Sequence, residues 1–497
     1  MSSVLMSWAT VAPLLCVVVA GLAMMLVDAF VEEKSELAMM TAVILAGSAI
    51  VAGGVWTSGH ATENTSELVT TWLATDKLAL FSDVVIAVGA ALAALLAGGY
   101  LSEHKLERGE FYPLLLFSAF GAMVLARSID LLSLFVGLET MSLGIYALVA
   151  YRRTSARAAE AGMKYFLLGS FAAAILLLGS AYLYGATGHT DFAGIAAAIK
   201  DGSADERLVL LGVMLVIAGL AFKISAVPFH MWTPDAYEGA TTPVTAFMAM
   251  CVKSSVFVVM VRVFLVSFAG PDLTSGSSGW PPILAGLAAL TMVFGNLGAV
   301  AQSSVKRMLA YSSIAHAGYI LIGLVAASKI GETAISAVLF YLAAYTVSNA
   351  LAFGALIFAG SEGREAVSYE DLAGLGRRKP MLAIPFILAV LSLMGFPPTA
   401  GFFAKYYVFA AAVQAGGGMV WLAVLGAITS AIGAYYYLRV LIYMFMREPA
   451  EGAASAVPMR SGYVITAMVV AALFVLQMGV APGRYLDIAT AAAKLFA

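Results

Sequence analysis

The chain is 497 residues long, 62% hydrophobic and 11% charged, with a formal net charge of −2. Soluble globular proteins run about 45–50% apolar and about 25% charged, and a water-soluble chain of this length needs far more polar surface than this one supplies. The composition therefore indicates an all-α polytopic membrane protein, and the balanced charge excludes a basic nucleic-acid footprint.

Cofactor chemistry is also narrowed. The two cysteines, Cys16 and Cys251, lie far apart in apolar runs; they form no CxxC metal or haem motif and fall short of the roughly four thiolates an iron–sulfur cluster needs. No GxGxxG follows a strand pattern and no GxxxxGK[ST] occurs. The chain is expected to carry neither a metal nor a redox or nucleotide cofactor of its own.

A crossing takes roughly 20 apolar residues at about 1.5 Å each. That measure predicts about fourteen segments, at 4–29, 36–56, 77–100, 111–127, 129–150, 161–185, 208–236, 241–268, 281–302, 308–328, 333–360, 381–412, 418–446 and 461–482. The first has no basic leader and holds Asp28 near its end, so it reads as a retained crossing. Alternate loops divide the 27 Lys and Arg residues unequally, 16 against 6, with the remaining 5 inside segments. The basic loops are expected in the cytoplasm and both termini outside. The six tryptophans sit near segment ends, as an interfacial belt requires.

Four charges fall at mid-depth: Glu139 in the fifth segment, Lys223 in the seventh, Lys253 in the eighth and Lys405 in the twelfth. On insertion scales each costs about 2.5–3.5 kcal/mol against lipid, so an interior, hydrated setting is expected. The plain alternative is a static salt bridge locking helices together. Arg262 and Lys77 lie near segment ends and read as anchors that reach the interface.

Two segments also carry helix breakers. Pro228 follows Lys223, while Pro397, Pro398 and Gly401 precede Lys405. Proline removes a donor and clashes with the preceding turn, so both helices should break. Broken backbone at membrane depth is tolerated where it is buried or lines a wet cavity, and paired broken helices point to an ion path. The spacing suggests a duplicated five-helix unit whose odd span number inverts the second copy. The expected organisation is a three-helix segment at 1–110, repeats at 111–268 and 281–446, and a final helix within 461–497. His230, His316 and a stripe containing Tyr341 and Tyr345 are candidate relays between the lysines. Helix–helix hydrogen bonding is the alternative for the histidines, and water lining is the preferred role for the tyrosines.

Three motifs carry a resemblance. FKISAVPFHMWTPDAYEGATTPVTAF (222–247), SVKRMLAYSSIAHAGYILIG (304–323) and GFPPTAGFFAKYYVF (395–409) resemble the antiporter-like subunits of respiratory complex I, the proton-translocating NADH:quinone oxidoreductase. AGMKYFLLGSFAAAILLLGSAYLYGATG (161–188) and SYEDLAGLG (368–376) are similar to its subunit N branch. Thr241 departs from the pattern, which often has proline there. The resemblance implies fourteen spans, two inverted five-helix repeats and broken seventh and twelfth helices. It also implies that Glu139, Lys223, Lys253 and Lys405 are the functional charges. Lys405 differs from the glutamate of subunit M, and the chain lacks the long extension of subunit L.

The implied setting is a bacterial cytoplasmic (inner) membrane. Neighbours would be subunit M, small subunits such as K and J, and the peripheral arm, whose subunits hold NADH, FMN, iron–sulfur clusters and quinone. In the expected mechanism Glu139 controls the charge on Lys223, and a proton moves by Lys253 and His316 to Lys405. A nearby carboxylate favours the ammonium, and its loss in a dry site favours the amine. The rival is a stand-alone cation/proton antiporter of the Mrp type.

Overall fold

In a hydrocarbon layer every backbone N–H and C=O must find a partner within the protein, and a helix satisfies all but its ends. The computed structural model describes residues 8–31, 34–59, 67–274, 279–360, 363–449 and 459–496. These form helices joined by short loops, with only isolated bridges such as Leu73–Ser128. In chain order the main helices are α1 (Ala12–Val27), α2 (Ser35–Ser58), α3 (Lys77–Glu103), α4 (Phe111–Arg127), α5 (Leu131–Val149) and α6 (Ala156–Thr187). The seventh is in two pieces, α7a (Glu206–Lys223) and α7b (Thr233–Gly239). Then come α8 (Thr242–Ser267), α9 (Trp280–Val300), α10 (Val305–Ile330) and α11 (Glu332–Ala359). The twelfth is again divided, α12a (Pro380–Met394) and α12b (Ala400–Gln414), before α13 (Val420–Met446), α14 (Gly462–Val480) and α15 (Pro482–Ala493).

Ten of these are long and apolar enough to cross a membrane, and α1, α4 and α12a are shorter apolar helices. Measured against the expected fourteen segments, the shortfall is specific. It falls on the first, whose expected start lies outside the described residues, on the fourth, and on the two broken helices. Helix α15 was not expected; it packs on α11 and α3.

Local chemistry sets the ends. Asp76 caps α3 through the Ala79 N–H at 2.8 Å, and Asp130 caps α5 through the Leu132 N–H at 2.7 Å. Pro281, Pro380 and Pro482 occupy first turns, where a missing donor costs nothing. Helices α3, α8, α10 and α11 are buried almost all round and form the centre, whereas α2, α6, α9, α13 and α14 bury one side.

Close crossings rest on glycine. A Cβ on Gly121 of α4 would lie 2.3 Å from the Met141 nitrogen of α5, and one on Gly137 of α5 would lie 2.6 Å from the Leu125 nitrogen of α4. The α9–α10 pair repeats the device: Gly295 faces the Ala315 nitrogen at 2.6 Å, and Gly318 faces the Met292 nitrogen at 2.8 Å. Without a hydrophobic drive in lipid, such backbone approach is what packing rewards.

Both breaks are chemically satisfied. After α7a the chain passes Ser225 at φ +65 and a cis Val227–Pro228 bond. The freed Val227 N–H donates to Thr291 Oγ1 of α9 at 2.9 Å, and the Trp232 indole donates to the Phe222 carbonyl at 3.0 Å. After α12a come Gly395 at φ +86 and a cis Pro397–Pro398 bond. Gly401 then donates its N–H to Ser392 Oγ at 3.2 Å, and a Cβ there would lie 1.8 Å from the Ser392 carbonyl oxygen. Only glycine fits.

Candidate functional site: a buried lysine axis

Lys223 is the last residue of α7a, Lys253 follows a π-helical turn (Met248–Val252) in α8, and Lys405 stands in the second turn of α12b. All three side chains are buried. Single π turns inside α-helices are frequent at functional sites, where they re-aim a side chain.

Each amine is held in the same manner. Lys223 Nζ donates to Ser142 Oγ at 2.7 Å and to the Tyr146 hydroxyl at 3.2 Å, with the Tyr146 ring centre 5.3 Å away. Lys253 Nζ donates to the Ser313 carbonyl and lies 5.7 Å from the Tyr345 ring centre. Lys405 Nζ donates to the Met394 carbonyl and to Ser430 Oγ, both at 2.8 Å, and lies 5.1 Å from the Tyr319 ring centre. Among the described residues no carboxylate lies within ion-pair distance of any of them.

The two broken helices place their lysines differently. Lys405 reaches back across the break to the last carbonyl of α12a, the negative end of a half-helix. Lys223 is the last residue of α7a, and its amine is taken by hydroxyls of α5. Lysine precedes the break in one and follows it in the other.

Between Lys253 and Lys405 stands His316, buried on α10. Its Nδ1 bonds the Tyr341 hydroxyl at 2.8 Å and its Nε2 the Tyr437 hydroxyl at 3.1 Å, while its ring centre is 5.0 Å from that of Tyr345. The expected residues His316, Tyr341 and Tyr345 thus come together with Lys253.

Glu139 and His230 stand apart from these contacts. Glu139 does not close an ion pair with Lys223: its Oε1 is buried without a hydrogen-bond partner, and Ser142, one turn further along α5, takes the amine instead. The carboxylate remains near enough for a coulombic interaction. Glu139 stands on the side of α5 that exposes Val136 and Leu143. His230 sits within the break, half-buried beside the exposed Pro228 and Met231, and its Nδ1 has no hydrogen-bond partner. No bond joins it to a lysine among the described residues. Pro228, Pro397, Pro398 and Gly401 lie in or beside the two breaks.

Arg262 is not an interfacial anchor. It is buried and grips Asp76 through two bonds of 2.7 Å, while Arg127, also buried, grips Asp83 with an Nε–Oδ2 bond of 3.1 Å. Lys77, by contrast, is exposed and lies 5.6 Å from the Trp56 ring centre. Trp232 and Trp280 are buried instead of interfacial. Ser142, Tyr146, Ser313, Tyr437 and Ser430 escaped the sequence reading; the hydroxyls on the Lys223 side lie on the Glu139 helix at i+3 and i+7, a signal that was present. Among the described residues no group of three or more His, Cys, Asp or Glu side chains is arranged to hold a metal.

The family described as NADH:quinone oxidoreductase/Mrp antiporter, TM, matches residues 128–433, a stretch that holds all four mid-depth charges. NADH-quinone oxidoreductase subunit N 1 of Sorangium cellulosum (strain So ce56) is 54% identical over 97% of each chain. A chain in the structure of respiratory complex I from Thermus thermophilus with bound Aureothin is 36% identical, with a TM-score of 0.78 over 96% of this chain and 99% of that one. A chain of the Mrp complex from Dietzia sp. DQ12-45-1b superposes with a TM-score of 0.83 over 98% of this chain and 97% of that one, at 22% identity, a likeness of fold alone. The chain belongs to the subunit N family of NADH-quinone oxidoreductases, antiporter-like membrane subunits of respiratory complex I.

Proposed function

We propose that this chain carries protons across the membrane along Lys223, Lys253, His316 and Lys405, driven by quinone reduction elsewhere in its complex. The observation that carries the reading is the shared state of the three amines. Each is buried, held by hydroxyl or carbonyl oxygens, placed beside a tyrosine ring, and without a carboxylate partner in ion-pair contact. A static lock would pair them, because an unpaired buried charge is costly. An amine held by neutral oxygens can exist in either protonation state, which a carrier requires. Moving one proton against 100 mV takes about 2.3 kcal/mol, equal to a change of about two decades in proton affinity at about 1.36 kcal/mol each.

Glu139 acts on this axis through space and not as a closed partner. Its unpartnered oxygen and its position beside exposed apolar residues suit a charge whose effect on Lys223 is set by movement of α5 or by a neighbouring subunit. Tyr341 and Tyr345 position His316. His230 lies off the axis and is not assigned a relay step.

The repeats at 111–268 and 281–446 are supported by the matched glycine crossings of α4–α5 and α9–α10 and by the opposed placement of lysine at the two breaks. The basic loops orient the chain with both termini outside a bacterial inner membrane. Its neighbours there are the antiporter-like subunit M and small subunits such as K and J. The peripheral arm carries FMN and the iron–sulfur clusters and uses NADH and quinone.

The test is Lys223→Ala in the intact complex, with proton uptake by inside-out vesicles measured against NADH oxidised. Loss of pumping is expected with the complex still assembled; full pumping at the wild-type stoichiometry contradicts the carrier role. Co-purification with flavin- and iron–sulfur-containing subunits separates this reading from a stand-alone Mrp-type antiporter.

A further inference from the structure

On the face that the proposed orientation places in the cytoplasm, a cavity of about 190 Å³ opens between Tyr100, Arg152, Ser155, Arg157, Glu238 and Glu365. At roughly 30 Å³ per molecule it has room for several waters. The loop after α11 folds back to insert Glu365 here. The Tyr100 hydroxyl donates to Glu365 Oε1, Arg152 Nη2 donates to the same hydroxyl at 3.1 Å, and Lys306 Nζ lies 3.4 Å from Oε2. Lys306, on α10, is fully buried and also donates to the Ala240 carbonyl at 2.6 Å, at the junction of α7b and α8. Thr241 beside it lines the cavity with a buried Oγ1 that has no hydrogen-bond partner. Glu365 therefore separates a wet pocket from a buried amine.

The inner side of this cluster leads to the lysine axis. Ser313 lies seven residues beyond Lys306 on α10, two turns along the same face, or about 10 Å at 1.5 Å per residue. Its carbonyl is the acceptor for Lys253, and its hydroxyl is 3.4 Å from that of Tyr237 on α7b. Helix α7b thus touches α10 at both points, through Ala240 and through Tyr237.

We infer that Glu365 is the proton-binding group of the uptake route, taking protons from water in this cavity and passing them by way of Lys306 toward Ser313 and Lys253. The inference rests on the proton-carrier reading above. In the step, a hydronium in the cavity loses its proton to the Glu365 carboxylate. The carboxyl returns it to the Lys306 amine, and no other bond changes. Burial pushes the carboxyl up to about 8, into the range where proton exchange near neutral pH is efficient.

The groups facing it from every side are Tyr100 on α3, Arg152 after α5, Glu238 on α7b, Arg157 on α6 and Lys306 on α10. The Arg152 guanidinium, 4.0 Å from Glu365 Oε1, favours the carboxylate. His104, stacked on Tyr100 at 4.1 Å, is pushed down to about 4, first by burial and then by Arg152, so it adds no charge at neutral pH.

The experiment uses the intact complex in inside-out vesicles, with pumping rate and stoichiometry measured across pH for wild type, Glu365→Gln, Glu365→Asp, Tyr100→Phe and Lys253→Arg. In the wild type the rate should fall as pH rises through about 8, because the carboxyl is then no longer loaded. Glu365→Gln should pump about tenfold more slowly and lose that alkaline limb. Glu365→Asp should restore part of both. Tyr100→Phe removes a donor that favours the carboxylate, so its limb should move to higher pH; it also keeps the test open if Glu365→Gln fails to assemble. A wild-type rate and limb in Glu365→Gln, or an unmoved limb in Tyr100→Phe, overturns the assignment. Full stoichiometry in Lys253→Arg overturns instead the carrier reading on which it rests.

Discussion

Two regions of the molecule hide cations from water and treat them in opposite ways. At the end where α3 begins and α4 ends, Arg127 and Arg262 each grip an aspartate with several charge-assisted bonds. Along the middle, Lys223, Lys253 and Lys405 are given hydroxyls, carbonyls and tyrosine rings in place of carboxylates. Arginine stays protonated under all ordinary conditions and presents a planar fork, whereas a buried lysine can give up its proton. Between these two regions the residue type and the partner change together, which separates fastening from transport where burial alone does not.

The comparison can be broken by exchange. Lys253→Arg keeps the positive charge but forbids its release, so pumping should fall by tenfold or more while the complex still assembles, as read by vesicle acidification. Asp83→Ala leaves Arg127 buried and uncompensated, a loss of about 3–5 kcal/mol. It should appear as a lower thermal midpoint or a lower yield of the complex. Replacing both Asp83 and Arg127 with apolar residues should recover most of that loss, since a buried pair adds little net stability over a packed apolar one.

Thr291→Val removes the acceptor that satisfies the Val227 N–H in the broken seventh helix. Its cost should be about 1–3 kcal/mol, with pumping reduced because Lys223 loses a fixed backbone; paired stability and pumping assays would check both. Tyr341→Phe removes one bond to His316 but leaves Tyr437 in place, so a pumping loss of only a few fold is expected.

The sequence made part of this legible for a physical reason. Against so apolar a background, Lys223, Lys253, Lys405, Pro228 and the Pro397–Pro398 pair stand out because each is expensive in lipid. The partners were hidden because serine and tyrosine are cheap there and common on helices. Ser142 and Tyr146 share a face with Glu139, yet only the tertiary approach of α7a makes them the amine's acceptors. His230 lies in the broken stretch of the seventh helix, where Pro228 redirects the chain and sequence distance from Lys223 no longer measures approach. Arg262 resembled an interfacial residue because its aspartate, Asp76, lies 186 positions away. Glu365, in a loop, had no helical periodicity to mark it.

The central claim is that the middle lysines change protonation as part of turnover. Its most direct test is the number of protons moved per NADH oxidised by the intact complex carrying Lys253→Arg. The account predicts a fall in that ratio, or arrest of coupled turnover, with assembly preserved. A ratio and rate equal to those of the wild type would contradict it.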